Sequence, residues 1–332
     1  MTVKSSLFLA VTAAQLLCVA GEAQAKLWRK YLEPPARYAA FPREVRRTAT
    51  HPFADFDVEC YEQANGPDTV QRVMMAVPKG RGDAPLPAVV APFYFPEAML
   101  GFNPADGSLD CPHVKAGTNL TSYSTIRYMA DLARRGYVTV SADACHLTYA
   151  RATAPADDWA KWKHVGTALG RDWPEWTGVG KLAFDTRLLV DLLCADRRVD
   201  AARIGIIGHS LGGKMAFYAG CLDRRIRVIV ASDFGIGWTQ TNWSDVWYWG
   251  ARADEMRAAG ASHADLLSLS GGKPFCLIAG KYDDADSGAI LRAAQGYEGC
   301  PEKLKLVRHG TGHRPPSAAT EEGYRFLDRY LK

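Results

Sequence analysis

Three residues in one chain order could carry out acyl transfer. Ser210 stands in Gly208-His209-Ser210-Leu211-Gly212. Asp283 follows in Gly280-Lys281-Tyr282-Asp283, and His313 in Gly310-Thr311-Gly312-His313. A serine hydroxyl becomes a nucleophile only when a base takes its proton. The base is a histidine held in one tautomer by a carboxylate. Ser, then Asp, then His, each in a loop after an apolar run, supplies all three roles. Asp283 is preferred because it follows its apolar run closely, with Asp284, Asp286 and Asp233 as competitors. His313 is preferred to His309, which is nearer the preceding run and could cap it.

The surroundings of Ser210 support that reading. Arg203 to Ile207 is short, apolar and β-branched, which predicts a buried strand, and Leu211 to Cys221 reads as a helix. Strand, tight turn and helix is the setting that exposes a nucleophilic serine. Glycines on both sides allow the two backbones to approach. The Leu211 N–H then faces the site at a helix N-terminus, where a negative oxygen is favoured. A second oxyanion donor is expected from Phe93 or Tyr94, after the run Pro87 to Ala91. Gly208 to Lys214 also fits a phosphate loop, but Met215 stands where that loop needs Ser or Thr for magnesium.

Further elements must position these groups. Asp57–Gln63 and Thr69–Val77 read as two strands joined by the turn Asn65-Gly66-Pro67-Asp68. Strands are expected at 87–91, 137–141, 203–207, 227–231, 274–279 and 304–307. Helices are expected at 121–135, 181–195, 211–221 and 320–331. Strands alternating with helices imply an α/β fold, with a mostly parallel central sheet and helices on both faces. Two aromatic insertions lie near 150–180 and 236–272, with Trp159, Trp162, Trp173 and Trp176 in one and Trp238, Trp243, Trp247 and Trp249 in the other. They could stack on sugar rings or simply pack.

Residues 1–25 read as a secretory signal peptide: Lys4, an apolar run from Leu7 to Ala20, then Ala23-Gln24-Ala25. Residues 26–332 are then one domain with an N-terminal arm from Lys26 to Thr50. The expected location is secreted or periplasmic, with no membrane span once the signal is removed. A net charge of +4 over 332 residues is too mild to imply nucleic acid. Beyond Cys18 the cysteines are Cys60, Cys111, Cys145, Cys194, Cys221, Cys276 and Cys300, an odd number. No pair has Cys-x-x-Cys or zinc spacing, and Cys194, Cys221 and Cys276 read as buried thiols. The chemistry needs no metal and no organic cofactor.

From about Pro87 to the C-terminus the chain resembles the α/β-hydrolase superfamily, and within it the dienelactone hydrolase and acetyl xylan esterase-like branch. The resemblance rests on Gly208-His209-Ser210-Leu211-Gly212-Gly213-Lys214, on Ser232-Asp233-Phe234-Gly235-Ile236-Gly237 with Gln240-Thr241-Asn242-Trp243, and on the loops of Asp283 and His313. It implies a serine carboxylic-ester hydrolase with Ser210, Asp283 and His313 as triad. Dienelactone hydrolases use cysteine where this chain has Ser210, and the usual His-Gly is replaced by Pro92-Phe93. Compartment and branch together point to small-molecule or polysaccharide esters, such as acetylated sugars. The alternatives are a prolyl-oligopeptidase-like peptidase, for which no propeller repeat precedes the domain, and a non-catalytic carbohydrate-binding protein on a hydrolase fold.

Overall fold

A nine-stranded sheet carries the site. The computed structural model describes residues 22–80, 82–115, 117–155, 157–283 and 285–332. The strands are β1 (Val45–Pro52), β2 (Phe56–Gly66), β3 (Thr69–Pro78), β4 (Leu86–Val90), β5 (Val138–Ala142), β6 (Val199–His209), β7 (Ile226–Ser232), β8 (Phe275–Ala279) and β9 (Leu304–Arg308). Their spatial order is β1-β2-β3-β5-β4-β6-β7-β8-β9. β1, β2 and β3 pair antiparallel, and β3 pairs antiparallel with β5. From β5 onward every pairing is parallel.

The reasons are local. β8 is an apolar run buried on both faces, β5 is buried throughout, and β7 is buried at every position but Arg227 near its start, as a parallel sheet covered by helices requires. The helices Gly178–Ala195 and Leu211–Leu222 cover one face, and Ser317–Leu331 packs on the other against β6, β7 and β8. Parallel strands send all their exit loops to one end of the sheet. Ser210, Asp233, Asp283 and His313 all follow the ends of β6 to β9.

Some expectations need revising. The helix expected over 121–135 is a 3₁₀ segment, Leu120–Ile126, followed by a helix, Tyr128–Arg134. Asn119 caps the first turn by accepting from Thr121 N at 3.0 Å, and the Ser/Thr-rich stretch competes locally for backbone bonds. Residues 150–180 hold a helix, Asp158–Asp172, capped by Asp157, which accepts from Ala160 N at 2.8 Å. The two tryptophan-bearing segments pack on each other, with Trp159 and Trp247 rings 5.8 Å apart.

The N-terminal arm is built into the fold. Residues 22–32 are helical, Trp28 and Leu32 are fully buried, and Trp28 stacks on Trp238 at 6.0 Å. β1 then adds an edge strand, bulged at Thr48. The signal-peptide reading concerns residues 1–25, of which 1–21 lie outside the described residues. No helix among the described residues is long and apolar enough to cross a membrane. The seven described cysteines are free thiols; Cys221 and Cys276 are buried, and Cys194 is half-buried.

Candidate active site

β6 ends at His209 and a helix begins at Leu211, so Ser210 takes the whole turn. Its φ of 55° and ψ of −116° lie where side chains other than glycine are rare. That strain persists because both backbone groups of Ser210 are tied down. Ser210 N donates to Ser232 O at 2.8 Å, and Lys214 N donates to Ser210 O at 3.0 Å. The flanking glycines are required sterically. A Cβ on Gly208 would lie 1.9 Å from Gly212 O, and one on Gly212 would lie 2.1 Å from Pro92 O. The second contact seats the loop after β4 against the turn and brings Phe93 and Tyr94 to the pocket that holds Ser210.

His313 reaches Ser210 from the loop after β9. Its Nε2 lies 2.9 Å from Ser210 Oγ. Its Nδ1 lies 2.6 Å from Oδ2 of Asp233, not of Asp283. A carboxylate only accepts, so Nδ1 carries the proton and Nε2 is free to accept from the serine hydroxyl. The preference for Asp283 is therefore corrected. The carboxylate of Asp283 faces backbone and accepts from Phe234 N (2.9 Å), Gly235 N (3.3 Å) and Ile236 N (2.7 Å). In return, Asp233 accepts from Gly280 N, Lys281 N, Tyr282 N and Asp283 N, at 2.7–3.1 Å. The loops after β7 and β8 thus clasp each other through their carboxylates, and only Asp233 has an edge left for the imidazole. Its φ of 41° is one of three positive values outside glycine among the described residues.

The other candidates lie elsewhere. His309 Nδ1 sits 3.0 Å from Thr311 Oγ1, and Asp286 precedes the helix Ser287–Ala293. Asp284 lies outside the described residues.

Electrostatics separates the two acids. Burial alone would raise both. For Asp233, the hydrogen bonds from His313 and from the Asp283 and Tyr282 N–H groups outweigh burial, and its carboxyl sits below the ordinary range. For Asp283, burial wins, reinforced by the charge of Asp233, and its carboxyl is pushed up to about 6. His209, buried beneath the site, is held well below the ordinary histidine range by burial first and by His313 second. It therefore stays neutral, with Nδ1 3.1 Å from Ser232 Oγ.

Ser210 and His313 open into a pocket of about 350 Å³. Its walls include Phe93, Tyr94, Tyr123, His146, Trp159 and Trp162. Trp162 is buried and stacks on His146 at 4.1 Å. Trp159 is 66% exposed at the rim. Burial lowers His146 to about 3, so it lines the pocket as a neutral ring. Sequence reasoning missed His113, Lys115, Tyr123, His146 and Arg314 as wall residues. His113, Lys115 and Arg314 come from loops, and Tyr123 and His146 from short helical segments (Leu120–Ile126 and Cys145–Thr148), none of which carries a pattern that directs it toward the site. Leu211 is buried at the start of its helix, where the positive end of the macrodipole meets the serine.

A nucleophile, a base and an acid in this geometry can transfer an acyl group without a cofactor. No protein-family model matches the chain. It is 26% identical over 164 residues to YtaP of Bacillus subtilis, which carries only a provisional description as a hydrolase. That match covers 46% of this chain and about half, 54%, of the relative. A glucuronoyl esterase from Solibacter usitatus superposes with a TM-score of 0.69 at 14% identity, covering 92% of this chain and 91% of that one. A CE15 glucuronoyl esterase from Teredinibacter turnerae gives 0.66 at 17%, covering 93% and 83%. An acetyl xylan esterase from Paenibacillus gives 0.57 at 16%, covering 94% of each chain. The strand order, the strained turn at Ser210 and these superpositions together establish an α/β-hydrolase fold.

Proposed function

We propose that the chain is a serine carboxylic-ester hydrolase whose esters are carried on sugars. The observation that carries this reading is the unbroken hydrogen-bonded chain Asp233–His313–Ser210, at 2.6 and 2.9 Å. In the first step Ser210 Oγ bonds to the ester carbonyl carbon while His313 Nε2 takes its proton. Asp233 stabilises the imidazolium that forms. The N–H of Leu211 and that of Phe93 or Tyr94 hold the oxyanion. The bond to the alcohol oxygen then breaks, and His313 returns the proton to that oxygen. Water, deprotonated by His313, adds to the acyl-enzyme, and the acid leaves with Ser210 restored.

The sugar part of the reading rests on Trp159, an exposed indole at the pocket rim, and on the polysaccharide esterases among the structural neighbours. The leader-like residues 1–25 fit a secreted or periplasmic enzyme. The test is hydrolysis of p-nitrophenyl acetate and acetylated xylan by the wild type and Ser210→Ala. The variant is expected to lose about 10⁴-fold or more in kcat. Activity retained in a folded variant overturns the reading.

A further inference from the structure

A second hollow lies at the other end of the sheet. Its volume is about 750 Å³, and its walls come from the starts of β7, β8 and β9, from the end of the helix Leu211–Leu222 and from Trp28, Arg29 and Glu33 of the N-terminal arm. β7 has seven residues, so it lies about 20 Å from Ser210 at roughly 3.3 Å per residue.

Five cations line it: Arg29, Arg224, Arg227, Lys273 and Lys303. One acid does, Glu33, and its carboxylate already binds Arg187 at 2.8 Å. Lys273 donates to Gly220 O at 2.7 Å and Asp223 O at 2.6 Å, closing the end of the helix Leu211–Leu222. Arg29, Arg224, Arg227 and Lys303 have no side-chain hydrogen bond or ion pair among the described residues. Lys273 is lowered below the ordinary lysine range by burial, which outweighs the pull of Cys221 and Asp223, with a smaller contribution from Arg227. Like charges in one concavity repel. A multiply charged anion would relieve that repulsion. The wall also carries an apolar patch, with Leu222 partly exposed and Leu269 40% exposed.

We propose that this hollow binds an amphiphilic phosphate ester. The phosphate sits among Arg224, Arg227 and Lys303, and the apolar body lies on Leu222 and Leu269. Guanidinium groups match phosphate oxygens in pairs, and a dianion uses more than one cation. The volume exceeds what one inorganic phosphate fills. The same chemistry is offered by a soluble phosphate ester and by an anionic phospholipid headgroup.

The test titrates the full chain with octyl phosphate and, separately, with inorganic phosphate, by calorimetry. It compares wild type with the double variant Arg224→Gln/Arg227→Gln. Both side chains are exposed, so the variant is expected to fold, to melt with the wild type and to keep its esterase rate. Octyl phosphate is expected to bind one per chain, about tenfold or more tighter than inorganic phosphate. The double variant is expected to lose about tenfold or more in affinity. Pelleting with phosphatidylglycerol against phosphatidylcholine vesicles then separates the sources. Retention on the anionic vesicles that falls in the double variant assigns the headgroup; octyl phosphate binding without that fall assigns a soluble ester. Octyl phosphate that does not bind, or binds the variant equally, overturns the proposal.

Discussion

His313 Nδ1 meets Asp233 Oδ2 at 2.6 Å, while the carboxylate of Asp283 is taken up by three consecutive backbone N–H groups that follow Asp233. The two acids thus divide the work: one orients the imidazole and the other holds the turn that presents the first. Asp233→Asn removes the acceptor that fixes the tautomer, and is expected to lower kcat by about 10³–10⁴-fold with little change in KM. Asp283→Asn leaves the imidazole contact in place and is expected to cost less than a tenth of that. Steady-state kinetics on p-nitrophenyl acetate for both variants checks the assignment. A larger loss at Asp283 than at Asp233 would contradict it.

Stability against pH tests the same pair. Burial raises Asp283 to about 6, above the unfolded value near 4. A raised carboxyl contributes stability that is fully present below pH 4 and is lost as pH rises through 6. Integrated over that window the loss is about 2 kcal/mol. Asn at 283 cannot ionise. The difference in unfolding free energy between Asp283→Asn and wild type should therefore shift toward the variant by about that amount from pH 4 to pH 7. Urea melts at the two pH values measure it. A difference that does not change with pH would show that the carboxyl is not raised.

Gly212 is a steric test of the oxyanion site. A Cβ there would press on Pro92 O at 2.1 Å, and a backbone oxygen cannot turn aside. The loop carrying Phe93 and Tyr94 must move away from Ser210. Gly212→Ala is expected to lower kcat by about 10²–10³-fold, the value of one oxyanion donor, with KM little changed. Steady-state kinetics on the folded variant decides. Unchanged kcat would remove that loop from the chemistry.

Trp159 is expected to matter for sugars and for little else. It is 66% exposed, so Trp159→Ala should alter stability by no more than about 0.5 kcal/mol. Loss of an aromatic face should raise KM for an acetylated xylo-oligosaccharide by about 3–10-fold. The p-nitrophenyl acetate rate serves as the reference. Equal effects on both substrates would deny the indole a role in sugar binding.

The parts legible in the sequence are those set by local rules. Gly208-His209-Ser210-Leu211-Gly212 shows its turn because only glycine tolerates the approach of Gly212 O and Pro92 O. The central strands show because burial on both faces makes them short, mostly apolar, β-branched runs. The identity of the acid was not legible. Asp233 and Asp283 follow adjacent parallel strands and end at the same level, and their mutual clasp decides which faces His313. β1 was hidden because it is an exposed edge, polar along its length. The N-terminal helix was hidden because Trp28 finds its partner, Trp238, 210 residues later.

The central claim is that Ser210 is the nucleophile activated by His313 and Asp233. Reaction of the protein with a fluorophosphonate, read by mass spectrometry of the digested chain, tests it most directly. One adduct per chain, on the peptide that contains Ser210 and formed much more slowly in Asp233→Asn, is the predicted result. No adduct on folded protein, or an adduct on another residue, would contradict the account.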